Sequence, residues 1–177
     1  MLIEKYNPDW IQQFENIKQA ISNALDGATH TIEHVGSTAV PELDAKPIID
    51  LDIIYTNEEE FLSIKTALEK IGYFHNGNQG IEEREAFKRN GKLLHPILDT
   101  IPHHLYVCPA HSKALERHLL SRNYLRKHEW ARIQYQQMKY EIAERAGQDR
   151  KKYAALKELT VNDFIDTIIA EEKNKTT

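Results

Sequence analysis

The chain has 177 residues, with 27 acidic and 23 basic side chains, a formal net charge of −4, and 41% hydrophobic and 28% charged residues. That length suits a single domain, residues 1–177, with a substantial core, and the mild acidity argues against nucleic acid as partner, since a non-specific nucleic-acid binder is usually basic. The lone Cys108 excludes an internal disulfide and a thiolate zinc site; no apolar run is long enough to span a membrane and no apolar leader follows Met1, so a cytoplasmic protein without membrane contact is expected.

Asn7-Pro8 opens a first helix, with Ile11, Phe14, Ile17, Ile21 and Leu25 inward, Trp10 in the core or at its rim, and Gly27 as the stop. A short strand from about Thr29 to Val35 follows. His30 reads as a locally bonded polar residue, while His34 is placed to orient what comes next. That is Gly36-Ser37, where glycine allows close approach of backbone to a ligand and serine can cap a turn whose N–H groups suit phosphate. The run Ile48-Ile49-Asp50-Leu51-Asp52-Ile53-Ile54 alternates with period two. Ile49, Leu51 and Ile53 therefore share one face, and Asp50 and Asp52 the other. Two adjacent carboxylates repel each other unless a cation or water lies between them, and Mg²⁺ or Mn²⁺ suits such oxygen donors. The intervening residues 41–47 leave room for a short helix and a turn, and Lys46 could place an ammonium near a bound phosphate.

Asn57 to Ile71 reads as a second helix, with a capping-box-like Asn57/Glu60 start, an apolar stripe of Phe61, Ile64, Leu68 and Ile71, and Gly72 as the stop. Residues 75–80 form a loop. Arg84 to Arg89 reads as a strand, and Asn90-Gly91 predicts a tight hairpin turn with a return strand from Lys92. Arg84, Ala86 and Lys88 share a face of that basic ribbon, which either protects a sheet edge or binds phosphate. His103 to Val107 is a further strand, with Leu105 and Val107 inward and His104 and Tyr106 outward. His95, His103 and His104 lack the regular spacing of a helical zinc motif. After Pro109 the chain reads as helical. One helix is expected over His111–Lys127 with a break near Asn123. A second carries Trp130, Ile133, Met138 and Ile142 and ends at Gly147. The last is capped by Asp149, restarts at Thr160 and frays from Glu171.

Val35-Gly36-Ser37 followed by Asp50-Leu51-Asp52-Ile53 resembles the signature of the nucleotidyltransferase superfamily. The strings His34–Pro41, Ala45–Asp50, Arg84–Phe87, His103–Val107 and Arg122–Arg126 resemble the GrpB family over most of the chain. The resemblance implies an α+β fold: a nucleotidyltransferase-like mixed sheet packed with helices over about residues 1–108, and C-terminal helices over about 109–170. It favours Arg84 as the phosphate-binding member of the ribbon. The family pattern carries Gly where this chain has Glu42; if that glycine is left-handed, either Glu42 takes the same conformation at a cost or the loop differs. Many nucleotidyltransferases place a third carboxylate on a later strand. Here that strand offers His104, and the nearest acid in sequence is Asp99.

The leading expectation is a metal-dependent nucleotidyltransferase acting on a nucleoside triphosphate and a small acceptor. Asp50, Asp52 and His104 would serve the metal, with Asp50 and Asp52 catalytic; Gly36, Ser37, Lys46, Arg84 and Lys88 would serve the phosphates. The alternative is a module of the same fold that binds a nucleotide or phosphorylated metabolite without turnover. A third reading is metal-dependent hydrolysis using the histidines.

Overall fold

The computed structural model describes residues 1–25 and 30–175. Five strands form one mixed sheet: β1 (Thr31–Val35), β2 (Ile49–Tyr55), β3 (Tyr73–His75), β4 (Glu85–Arg89) and β5 (His103–Pro109). Their order is β1-β2-β5-β4-β3; β2 and β5 are parallel, and the other neighbours are antiparallel. Parallel neighbours need a long connection. Here α2 (Glu58–Lys70), β3 and β4 all lie between β2 and β5 in sequence. Strand alternation then sorts the side chains. Ile49, Leu51, Ile53, Leu105 and Val107 pack with Phe14, Ile17 and Ile21 of α1 (Asp9–Ala24) and with Ile64 and Leu68 of α2. Asp50 and Asp52 are left facing α3 (Lys113–Lys127), which runs across the opposite side of the sheet.

A second apolar cluster joins α3, α4 (Glu129–Arg145) and α5 (Arg150–Lys175) through Tyr124, Leu125, Tyr135, Ile142, Tyr153 and Ile168. Leu2, Ile3, Val40 and Leu43 belong to this cluster, so the chain's first residues and the segment after β1 pack with the helical layer. No helix among the described residues is long and apolar enough to cross a membrane.

The expected caps form. Asn7 accepts from the Asp9 N–H, Asn57 from Glu60 at 3.0 Å, and Asp149 from Lys152 at 2.8 Å. Glu60 reaches back to the Thr56 N–H at 2.6 Å, one residue before the position of a standard box. Gly27 and Thr29 lie outside the described residues. Glu42 does hold φ 63°, with its carboxylate on Arg132 at 2.7 Å.

Several local readings are overturned. Asn90-Gly91 makes no hairpin, because both edges of β4 are already taken by β3 and β5. Asn90 instead accepts from the Lys92 N–H, and Arg89 gathers the following loop by bonding Asp99 and the Leu93 carbonyl. The connection from β1 to β2 holds a three-residue 3₁₀ turn, Ser37–Ala39, and an antiparallel bridge of Ala45 to Glu4, and residues 41–47 form no helix. α3 runs unbroken through Asn123 and α5 through Thr160, whose hydroxyl bonds the Leu156 carbonyl within the helix. Ile11, Trp130 and Ile133 are exposed; Ala131, Tyr135, Lys139 and Ala143 take the buried face of α4 together with Ile142. Glu171 and Glu172 of α5 are held rather than frayed, since Tyr124 bonds Glu171 and Lys127 bonds the buried Glu172; residues 176–177 of the stretch expected to fray lie outside the described residues.

Candidate functional site

The carboxylate pair is the centre of the site. Parallel pairing sets His104 beside Asp50 and Tyr106 beside Asp52, and His104 Nδ1 lies 2.9 Å from Asp50 Oδ1. From the opposite layer, His118 of α3 brings its Nδ1 to 2.7 Å from Asp52 Oδ2. Asp52 is fully buried and its Oδ1 has no hydrogen-bond partner, whereas the Asp50 side chain is 28% exposed. A buried carboxylate oxygen without a donor is costly, so the pair favours a positive ligand on its open side. The Tyr106 ring lies between the two imidazoles, 6.3 Å from His104 and 6.1 Å from His118. Burial, reinforced by Asp50 and Asp52, pushes its hydroxyl up to about 12; Arg84 and Lys157 act against the shift.

Gly36 is needed at this site for a reason beyond ligand approach. Its φ of 72° and ψ of −170° lie in a region essentially reserved for glycine. A Cβ there would stand 2.3 Å from Asp50 Oδ2. The bare backbone of Gly36 is therefore what lets the Asp50 carboxylate sit where it does. Ser37 begins the 3₁₀ turn, yet no side chain caps that turn, contrary to the expected serine cap. Thr38 anchors it instead, donating to the Ile48 carbonyl at 3.3 Å and meeting His34 Nε2 at 3.1 Å.

His34 pairs across from Leu51 and so lies on the core face. Its ring stacks on Phe14 at 4.6 Å, and burial pulls its pKa down to about 4. It thus acts on the turn as a neutral ring, through Thr38. From the other side, α3 straps the same segment. Arg126 gives two N–H groups to the Ala39 carbonyl, at 2.8 and 2.6 Å, and Arg122 bonds the His34 carbonyl at 2.7 Å and the Glu33 carboxylate at 2.6 Å.

Cations surround the pair without sealing it. The Lys46 ammonium lies 3.9 Å from the Tyr153 ring centre. Burial, then Lys157 and Arg150, lower its pKa, with Asp50 opposing them. Tyr135, Tyr153 and Asp50 together hold the ammonium of Lys157, on α5, above the ordinary lysine range. Arg84, just before β4, lies 4.3 Å over the Tyr106 ring, with a buried Nε that meets no acceptor. Lys88 is exposed and lines a cavity of about 500 Å³ with Ala86, His104 and Tyr106.

The other sequence candidates scatter. His95 accepts from the Ile97 and Leu98 N–H groups, and His103 bonds the Tyr73 hydroxyl, so the three nearby histidines do not converge. Asp99 is held by Arg89 in the loop after β4. The acid beside the pair is instead Glu33, opposite Asp52 on β1, and Arg122 occupies it. Among the described residues, no three His, Cys, Asp or Glu side chains are grouped to hold a metal ion.

A profile described as GrpB protein matches residues 1–170. The chain belongs to the GrpB family. A UPF0157 protein of Pseudomonas aeruginosa is 32% identical over 168 residues, covering 95% of this chain and 67% of that one. The UPF0157 protein YqkA of Bacillus subtilis is 31% identical over 138 residues, covering 78% of this chain and only 38% of its own length. The crystal structure of GrpB from Enterococcus faecalis superposes with a TM-score of 0.78 at 30% identity and 98% coverage of both chains. The poly(U) polymerase Cid1, solved with MgGTP bound, superposes with a TM-score of 0.58 at 12% identity, over 82% of this chain and 45% of that one. This GrpB protein thus has a nucleotidyltransferase-like fold.

Sequence reasoning missed His118, Lys157 and Glu33, for which no local signal exists. Arg122 and Arg126 did stand in a family-like string, and the mark of their role was the presence of arginines one helical turn apart.

Proposed function

We propose that this GrpB protein binds a nucleoside triphosphate with a divalent cation and transfers its nucleoside monophosphate to a small acceptor. The observation that carries the reading is the pair itself: a buried Asp52 oxygen without a donor, beside a half-open Asp50 that packs on bare glycine backbone. These residues fit Mg²⁺ or Mn²⁺. Asp50 and Asp52 would hold the ion, and His104, bonded to Asp50, would join the ligand set only on a shift of its ring, a nitrogen donor that suits Mn²⁺ better than Mg²⁺. When bound, the cation offsets negative charge that builds on the phosphates.

The remaining roles belong to the chain's own side chains. Gly36 and Ser37 would contact the phosphates through the turn that adjoins Asp50, and Lys46 with Lys157 would offset the charge of the departing pyrophosphate. His118 fixes the carboxylate of Asp52, and His104 that of Asp50. The acceptor's oxygen or nitrogen bonds to the α-phosphorus, the bridging P–O bond breaks, and pyrophosphate leaves with the electron pair. The nucleotides held by Cid1, among them MgGTP and the UTP analogue UMPNPP, support this choice of ligand class.

A second reading, binding without turnover, draws on one observation: both carboxylates already accept from imidazoles, and Glu33 is taken by Arg122. Purified protein given nucleoside triphosphates with Mg²⁺ or Mn²⁺ and a panel of small metabolites separates the two. Pyrophosphate release that is lost in Asp50→Asn and Asp52→Asn supports transfer. Metal-dependent nucleotide binding without release supports the second reading. Divalent-metal affinity by calorimetry that is equal in wild type and both variants removes the carboxylates from the site.

A further inference from the structure

Displacement at phosphorus runs roughly in line, so entering and leaving groups lie on opposite sides of the α-phosphorus. Gly36, directly after β1, packs against the Asp50 carboxylate. If the pyrophosphate leaves there, the acceptor enters across the pair, over β5 and β4. That side carries Arg84. The guanidinium carbon stands 4.3 Å over the Tyr106 ring centre, a contact that restricts its donor fork, and its buried Nε meets no acceptor. Arg89, Arg117, Arg122, Arg126 and Arg132, by contrast, each grip a carboxylate or a carbonyl. Beside Tyr106 the cavity of about 500 Å³ reaches His104 and Lys88. That volume suits a small molecule. The Arg84 guanidinium lies over β5, on the far side of β2 from β1, whereas Gly36 lies against Asp50 of β2 at the end of β1.

We infer that Arg84 on Tyr106 is the anion-binding subsite for the acceptor, which is a small alcohol or amine bearing a carboxylate or phosphate group. That its ligand is the acceptor rests on the nucleotidyl-transfer reading; the anion subsite itself does not. The acceptor's anion docks on the Arg84 fork and its nucleophile points toward Asp50 and Asp52. As that oxygen or nitrogen bonds to the α-phosphorus, its proton passes to water in the open cavity and pyrophosphate departs with the electrons of the broken P–O bond. Lys88 supplies a second positive charge along the cavity wall, so an acceptor with more than one anionic group gains further.

The test uses full-length protein, a non-hydrolysable nucleoside triphosphate analogue with Mg²⁺, and two probes, glycerol 3-phosphate and glutarate. Calorimetry measures each ligand against wild type, Arg84→Gln and Arg84→Lys; the lysine variant keeps the charge and the stem, and melting curves confirm that both variants fold. The expected result is that Arg84→Gln weakens at least one probe by about tenfold or more, Arg84→Lys weakens it less, and analogue affinity stays within about twofold. Which probe responds tells phosphate from carboxylate. Probe binding that is unchanged in both variants, or absent in wild type, overturns the subsite. Equal losses of probe and analogue overturn it too, since Arg84 then belongs to the nucleotide. Arg84-dependent probe binding in a protein that binds no analogue keeps the anion subsite and refutes the nucleotidyl-transfer reading.

Discussion

Replacing Gly36 by alanine tests how the carboxylate site is assembled. The new Cβ would stand 2.3 Å from Asp50 Oδ2, 3.0 Å from Cγ and 3.1 Å from Cβ, on a backbone at φ 72° and ψ −170°. The backbone region alone costs a non-glycine residue about 1–3 kcal/mol, and forcing an extra methyl into packed space costs about 1–3 more. Asp50 cannot swing away freely, because His104 holds its other oxygen at 2.9 Å. A total near 3 kcal/mol corresponds to a fall in melting temperature of about 6–12 °C for a chain of this size. Urea unfolding and calorimetry measure it. The clash can be isolated by making the same change in an Asp50→Ala background, where the oxygen and Cγ are gone. There the cost should shrink by about 1–3 kcal/mol, leaving the backbone part. If Gly36→Ala costs the same in both backgrounds, or melts with wild type, Asp50 does not press on Gly36 and the account of the turn is wrong.

His34 makes stability depend on pH. Its folded pKa of about 4 lies below the ordinary 6.5, so the unfolded chain takes up the proton first. Its contribution is complete above 6.5 and falls away as pH drops from 6.5 toward 4, a loss of about 3 kcal/mol that His34→Gln should remove from the urea midpoints measured across that window. Arg126→Ala deletes both donors to the Ala39 carbonyl and should destabilise by about 1.5–3 kcal/mol, with faster amide exchange at Ala39 and Val40; unchanged exchange there would show that α3 does not strap the turn. Lys157→Gln should weaken nucleoside triphosphate binding by about tenfold while leaving glycerol 3-phosphate affinity unaltered, as read by calorimetry. An equal loss for both ligands would place Lys157 at a shared anion site instead.

The sequence by itself settled what depends on near neighbours along the chain. Period-two alternation from Ile49 to Ile53 determined that Asp50 and Asp52 share a face turned away from the core. The same alternation put His104 and Tyr106 outward, and glycine at position 36 marked the turn. These patterns are legible because a strand's geometry is fixed by successive backbone bonds. Asn90-Gly91 is where local chemistry misled: a good turn signal cannot make a hairpin when β3 and β5 already pair with the strand before it. Tertiary structure decided the rest. His118 reaches Asp52 across 66 residues of chain, Lys157 comes from the last helix, and Glu33 becomes the neighbouring acid only through the β1–β2 register. The β1–β2 register sets His34 opposite Leu51 on the core face, where it orients the turn through Thr38 as a neutral ring stacked on Phe14. Such contacts are set by which strands pair and how the helical layer packs over them, and neither is written in the spacing of residues along one segment.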